Sequence, residues 1–271
     1  MLFVPGDRPE RFGKAAASGA DAIVLDLEDA VGSEAKDAAR AAVDTWLGEQ
    51  DGTVATVVRI NGTETQWHAE DVAMLAPHGC AVMLPKASCA AQVSDVAATL
   101  GGVGGLVALI ETAGGVLAAQ QISTADGVVR TAFGSVDLAA ELGVSPDDRD
   151  AMHHARATVI LAAAAAGRPA PLDGVTTATS DEDQLRGDTR YAARLGFGGK
   201  LCIHPRQIEI VNHGFSPSDT EVAWARTVVE AAGGDGVCVV EGRMVDKPVV
   251  DRAVRILARV ATAESPSPLA G

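Results

Sequence analysis

Leu106-Val107-Ala108-Leu109-Ile110-Glu111-Thr112-Ala113-Gly114-Gly115 is an apolar run of strand length that stops at an acid and passes into a helix start. The same grammar recurs along the chain. Short β-branched apolar runs alternate with longer Ala-rich stretches whose apolar residues are spaced by three and four, the pattern of repeated βα units. Strands are expected over 2–5, 22–27, 56–60, 81–85, 106–110, 128–133, 172–177 and 200–204. Helices are expected over about 9–18, 33–47, 65–75, 90–100, 116–122, 147–166, 181–194 and 218–232. Eight strands, each followed by a helix, describe an α/β fold of the TIM (β/α)8 barrel type. An open doubly wound sheet would place a Gly-rich turn between a strand and a helix. The run Gly101-Gly102-Val103-Gly104-Gly105 instead precedes a strand and reads as a connecting loop. The barrel is expected to occupy 1–233, followed by a C-terminal segment over 234–263 with an extension helix from about 249. A Pro- and Ser-rich tail over 264–271 is expected to be disordered.

The chain has 271 residues, 47% hydrophobic and 21% charged, which excludes disordered, collagen-like and disulfide-scaffold classes. A formal net charge of −14 repels phosphate backbones and anionic lipid, so no nucleic acid and no membrane is expected among its partners. The apolar runs all fall short of the roughly 20 residues that a membrane span requires. Cys80, Cys89, Cys202 and Cys238 form no CxxC pair and no secretory signal is recognisable, so a reduced, cytoplasmic protein is expected.

In a barrel of this kind the chemistry sits where strands end and βα loops begin. Asp26, Glu28 and Asp29 close strand two, Arg59 and Asn61 strand three, Lys86 strand four, Glu111 strand five and His204 strand eight, while Ser135 and Asp137 lie in the region after strand six. Glu111 and Asp137 come from adjacent strands, which lie about 4.8 Å apart, so their carboxylates can converge on one hard cation. Mg²⁺ takes one or two carboxylates and completes its octahedron with waters and substrate oxygens. The alternative is that each acid caps the helix that follows it. Asp26, Glu28 and Asp29 either orient metal waters and basic groups or form ordinary salt bridges with Arg8, Arg11 or Lys14. Arg59 lies in an apolar run, where its planar fork either grips a substrate carboxylate or makes a buried ion pair with an acid of strand two. Lys86 reads as a charge-pair donor rather than a Schiff-base lysine. His153 and His154 are helix neighbours that cannot face one point, His68 and His78 read as surface, His213 as loop, and His204 as a cap. No GxSxG elbow or Walker loop is present.

Seven segments in order carry a resemblance: 3–12 (FVPGDRPERF), 25–31 (LDLEDAV), 58–61 (VRIN), 84–87 (LPKA), 109–112 (LIET), 133–137 (FGSVD) and 244–248 (MVDKP). Together, from residue 3 to about 257, they resemble the citrate lyase β-subunit-like family, which includes malyl-CoA and citramalyl-CoA lyases within the hydroxy-oxo-acid aldolase superfamily. The resemblance implies a Mg²⁺-dependent carbon–carbon lyase on a TIM barrel, with Glu111 and Asp137 as metal ligands. It implies that Arg59 grips a keto acid of the oxaloacetate, glyoxylate or pyruvate type, with Gly134 and Ser135 bordering the substrate. Asp26, Glu28, Asp29 and Lys86 would orient these groups, and Arg11, Lys14 and Pro205 would line the path of a coenzyme A thioester. Asp246 would be the catalytic acid of the C-terminal segment, delivered to a neighbouring subunit of a homotrimer or hexamer. The reaction implied is cleavage of a 3-hydroxyacyl-CoA thioester to acetyl-CoA or another acyl-CoA and a keto acid, or the reverse. Alternatives are a citryl-acyl-carrier-protein lyase subunit of a multi-subunit citrate lyase, a non-catalytic assembly subunit, or a free hydroxy-oxo-acid aldolase. Retention of the Met244-Val245-Asp246 segment favours CoA chemistry.

Overall fold

Eight strands run side by side in chain order: β1 (Leu2–Pro5), β2 (Ala22–Asp26), β3 (Ala55–Arg59), β4 (Ala81–Leu84), β5 (Leu106–Ile110), β6 (Val128–Phe133), β7 (Leu172–Asp173) and β8 (Gly199–Lys200). Each pairs in parallel with the next. The ring closes through Phe3 N–H to Cys202 O at 2.8 Å and Cys202 N–H to Met1 O at 2.9 Å, so neither outer strand keeps a free edge. This is the expected barrel. The computed structural model describes residues 1–50, 54–101, 104–232, 238–240 and 242–264.

All five residues of β2 and of β5 are buried, because a parallel barrel strand is covered on both faces. Side chains alternate between two apolar layers. Ala22, Val24, Val57, Val107 and Leu109 fill the barrel interior, while Ile23, Leu25, Val58, Ala108 and Ile110 pack outward under the helices. Counting on by twos carries Asp26, Arg59 and Glu111 to the inward face at the C-terminal rim. Strand parity, not loop geometry, therefore aims these three charges into the mouth.

The outer helices are α1 (Phe12–Ala16), α2 (Lys36–Glu49), α3 (His68–Leu75), α4 (Ala90–Thr99), α5 (Ala113–Leu117), α6 (Ala119–Thr124), α7 (Ser135–Leu142), α8 (Arg149–Ala165), α9 (Glu182–Leu195) and α10 (Arg206–Phe215). Three expectations need correction. The stretch expected as one helix over 116–122 is split at Ala118 into α5 and α6. Strands seven and eight are shorter than expected, two residues each. Gly174, directly after β7, packs so closely on Ser135 that a Cβ there would come within 2.6 Å of its Oγ. The eighth helix of the ring is α10, which holds His213, not the stretch expected over 218–232.

That later stretch is α11 (Asp219–Ala231), and it packs on the C-terminal elements β9 (Cys238–Val240), β10 (Arg243–Val245) and α12 (Lys247–Glu264). Ala225, Val228, Val240, Val245, Ala253 and Ile256 form a core separate from both barrel layers. A capping box starts α11, with Ser218 and Glu221 bonding each other's backbone N–H. The guanidinium of Arg252 stacks 4.8 Å from the Trp224 ring, and Arg259 donates to Phe215 O. Residue 264 ends α12, and the rest of the expected tail lies outside the described residues. Cys80, Cys89 and Cys202 are free thiols. Among the described residues no helix is long and apolar enough to cross a membrane.

Candidate active site

Asp26 and Arg59 face each other across the β2–β3 register. Arg59 donates from Nε to Asp26 Oδ1 at 2.7 Å and from Nη2 to Oδ2 at 2.6 Å, a two-point fork on a carboxylate that is 1% exposed. Asp26 also accepts the backbone N–H of Glu28 at 2.9 Å and of Ala30 at 3.2 Å. The third nitrogen, Nη1, stands 3.0 Å from Glu28 Oε2, and the Phe3 ring lies 4.8 Å from the guanidinium. Arg59 is thus the partner of a strand-two acid. Two of its five N–H groups are hydrogen-bonded, both to Asp26, and Nη1 is in ion-pair range of Glu28, so donors remain for a further acceptor.

Lys86 joins this pair to the next strands. Its Nζ bonds Glu28 Oε1 and stands 3.8 Å from Asp29 Oδ2 and 3.9 Å from Asp137 Oδ1. The salt bridges expected of Asp26, Glu28 and Asp29 are therefore made with Arg59 and Lys86. Arg8 and Arg11 lie instead against their neighbours Asp7 and Glu10, at 3.8 Å in each case. Burial, relieved only in part by Arg59 and Lys86, raises the pKa of Glu28, whose Oε2 has no aligned hydrogen-bond donor.

Glu111 is 2% exposed and accepts the Lys86 backbone N–H at 2.8 Å. Burial first, then the negative charges of Glu28 and Asp137, push its pKa up to about 8. It does not cap the next helix. Thr112 caps α5 through Gly115 N–H at 3.0 Å. Asp137 lies in the first turn of α7 behind an N-cap, Gly134, that makes no side-chain bond. Gly134 is also the floor under Glu111: a Cβ there would collide with Glu111 Cβ and come within 2.5 Å of Oε2. Glu111, buried and pushed towards neutrality, and Asp137, near enough that its charge contributes to that push, are chemically suited to share a divalent ion. Among the described residues no three His, Cys, Asp or Glu side chains form a complete metal cage. A two-carboxylate site suits Mg²⁺, which keeps waters and substrate oxygens in its remaining positions.

The other expected positions divide. Ser135 is buried as the first residue of α7, against Gly174. Arg11 and Lys14 are exposed on the first turns after β1, and Pro205 begins α10, where His204 Nδ1 accepts Arg206 N–H at 3.1 Å. Asp246 stands ahead of α12, where its Oδ1 accepts Val249 N–H at 3.3 Å. It belongs to the separate C-terminal core and not to the rim.

Two buried charge networks escaped the sequence. Lys36 spends all three ammonium donors on Leu27 O at 2.6 Å, Glu28 O at 2.8 Å and Asn61 Oδ1 at 2.7 Å. Asn61 is held in turn by Asp71 Oδ2, at 2.9 Å from its N–H and 2.6 Å from Nδ2, and Asp71 by Arg40 at 2.9 Å. Beside this bracing a cavity of about 420 Å³ opens next to Glu28 and Lys86, walled by Asn61, Thr63, Trp67 and Gln92. Across the rim, Asp173 accepts Arg156 Nε at 2.8 Å and lies 3.5 Å from Lys200 Nζ, which also bonds Gly174 O. Asp173 is a strand-end acid, so the rule that singles out Asp26 and Glu111 applies to it equally. Nothing local marks Lys36.

The family model described as HpcH/HpaI aldolase/citrate lyase matches residues 1–205. A citrate lyase subunit beta-like protein of Mycobacterium tuberculosis is 44% identical over 97% of this chain and 96% of its own. A (3S)-malyl-CoA thioesterase of Cereibacter sphaeroides is 38% identical over 96% and 93%. Among solved structures, CitE of M. tuberculosis in complex with magnesium, acetoacetate and coenzyme A superposes with a TM-score of 0.84 at 42% identity. That match covers 96% of this chain and 97% of the other. The M. tuberculosis citrate lyase beta subunit complexed with oxaloacetate and magnesium gives 0.72 at 43% identity, covering 80% and 96%.

Proposed function

The chain belongs to the HpcH/HpaI aldolase/citrate lyase family, and from that premise we propose that it is a Mg²⁺-dependent carbon–carbon lyase. It splits a 3-hydroxyacyl-CoA thioester into acetyl-CoA, or another acyl-CoA, and a keto acid, or joins them in reverse. The observation that carries this reading is Glu111: a carboxylate 2% exposed at the rim that accepts one main-chain N–H, from Lys86, with burial and the nearby charges of Glu28 and Asp137 pushing its pKa up to about 8. Solved relatives that hold magnesium together with oxaloacetate, or with acetoacetate and coenzyme A, support it.

Glu111 and Asp137 would hold the ion. Bound there, Mg²⁺ supplies Lewis-acid stabilisation of negative charge on a substrate oxygen. Arg59, fixed on one edge by Asp26, offers its remaining N–H groups to the keto acid carboxylate and so keeps the breaking bond aligned. Lys86 and Glu28 set the outer limit of that fork and keep a positive charge beside the acids. Asp246 of the partner subunit returns a proton to the α-carbon of the acyl thioester in cleavage, and removes it in condensation. A homotrimer or hexamer is part of this proposal, because Asp246 directly follows Val245 of the C-terminal core and makes no contact with the rim among the hydrogen bonds and ion pairs of the described residues. Arg11, Lys14 and Pro205 lie on the β1 and β8 side as the approach for the thioester, with Gly134 and Ser135 beneath the keto acid. The unpaired thiols of Cys80, Cys89 and Cys202 suit a cytoplasmic enzyme.

A second reading is favoured by the relative that is a (3S)-malyl-CoA thioesterase: hydrolysis of the thioester in place of carbon–carbon cleavage. One assay separates the two. Pure protein with Mg²⁺ and a panel of 3-hydroxyacyl-CoA esters should yield acyl-CoA and a keto acid. Free CoA with an intact hydroxy acid would establish the thioesterase. No turnover, together with activity on an acyl-carrier-protein thioester, would establish a carrier-dependent subunit.

A further inference from the structure

A left-handed backbone crowds any Cβ against the following carbonyl, so residues other than glycine seldom adopt it. Among the described residues Lys86, at φ +50°, is the one non-glycine with a positive φ. It stands where β4 gives way to α4, directly after Pro85, at the rim.

An extended strand sends consecutive amides to opposite neighbours. Here two consecutive amides turn to the same one. Lys86 N–H donates to Glu111 Oε1 at 2.8 Å, and Ala87 N–H donates to Leu109 O at 3.1 Å. The turn is held from outside, since a Cβ on Gly115 would collide with Ala87 O. Strain of this kind persists only where the surroundings over-determine it, and such places cluster at functional sites. Glycine or asparagine would hold this φ more easily. Lysine adds an ammonium that bonds Glu28 and stands 3.9 Å from Asp137.

We propose that Lys86 is a positioning residue of the metal corner, and that it acts through its main chain. Its amide, presented by the left-handed turn, aims the Glu111 carboxylate from one side while Gly134 leaves room for it on the other. The ammonium does separate work on Glu28 and Asp137. This inference rests on the reading of Glu111 as a metal ligand.

The test is the Mg²⁺ affinity of the full chain, measured by calorimetry well below the melting temperature, for Lys86→Gly, Lys86→Asn, Lys86→Ala and Lys86→Val. All four lack the ammonium and differ in how readily they hold φ +50°. Glycine and asparagine variants should bind alike. The valine variant should bind about tenfold more weakly or worse, in the range expected when a group that orients a metal ligand is lost. Alanine should fall between, and it supplies the comparison should the valine variant not fold. Equal affinity across the series overturns the proposal, as does a series in which melting temperature falls while Mg²⁺ affinity stays constant. Failure of the underlying reading looks different: the unsubstituted protein itself takes up no Mg²⁺, and the proposal falls with it.

Discussion

The barrel rim and the C-terminal unit treat their acids in opposite ways. At the rim Asp26, Glu28 and Glu111 are all at most 6% exposed, and each is tied to an arginine, a lysine or a backbone amide from a different strand. In the C-terminal unit Asp246 is half-buried and its side chain meets one N–H, that of Val249 in the first turn of α12. The first arrangement fixes charge in space, as a site for an ion and a carboxylate must. The second leaves a carboxylate whose position depends on where its small domain docks. On the proposed reading, fixed electrostatics and a delivered proton carrier would belong to separate parts of one chain, the barrel rim and the segment beside the C-terminal core.

Asp246→Asn attacks the second half alone and carries the largest expected effect. Asparagine caps a helix as well as aspartate does, so melting temperature and Mg²⁺ affinity should stay unchanged while kcat falls by about 10²- to 10⁴-fold. Thermal unfolding, calorimetry and steady-state kinetics on one preparation check all three. A fall in keto acid binding of similar size would erase the proposed division of labour.

Arg59→Ala attacks the first half. It leaves Asp26 charged, buried and without its fork, which should cost about 3–5 kcal/mol of stability in urea unfolding, along with turnover. Mixing and reassembling the two inactive variants sharpens the comparison. If Asp246 serves a neighbouring barrel, mixed assemblies hold some sites with both groups intact, and activity returns. Activity that stays absent after exchange would place both groups in one chain's site.

A smaller effect concerns pH. The native metal-free protein holds the Glu111 proton more tightly than the unfolded chain, where the ordinary value is 4.5, because the folded pKa is about 8. The stability this contributes is complete below 4.5 and lost as pH rises through about 8. Mg²⁺ binds the ionised form, so its affinity should rise by up to tenfold per pH unit towards 8 and then level off. Scanning calorimetry with and without Mg²⁺ from pH 5 to 9 reads both trends. The smallest effect belongs to the C-terminal core: Ser218→Ala removes the capping box of α11 and should cost about 1 kcal/mol there, with the Mg²⁺ affinity of the rim unchanged.

Strand-length, largely apolar runs alternating with helical stretches made β1, β5 and β6 legible to the residue, since each is bounded by a turn residue or an acid. The same feature placed Glu111, Arg59 and Asp26 at the rim. What stayed hidden depends on tertiary contact. His213 reads as loop and no helix is expected between strand eight and residue 218, yet Ile208 and Val211 bury against the barrel core as part of α10. Strand seven keeps two residues, and the close contact of Gly174 with Ser135, distant in sequence, is equally invisible. Lys36 shows no sign of its fate, since its three acceptors lie in the β2–α2 turn and on Asn61, brought together only when β2 and β3 pair. The turn at Lys86 is equally silent, since a lysine after a proline does not announce a left-handed backbone.

The most direct trial is a Mn²⁺ titration followed by electron paramagnetic resonance, with Mn²⁺ standing in for Mg²⁺, on the unsubstituted protein and on Glu111→Gln and Asp137→Asn, each before and after pyruvate. The account predicts one bound ion per chain, a spectrum altered by pyruvate, and loss of both in either variant. Undiminished binding in both variants, or a spectrum indifferent to the keto acid, would contradict it.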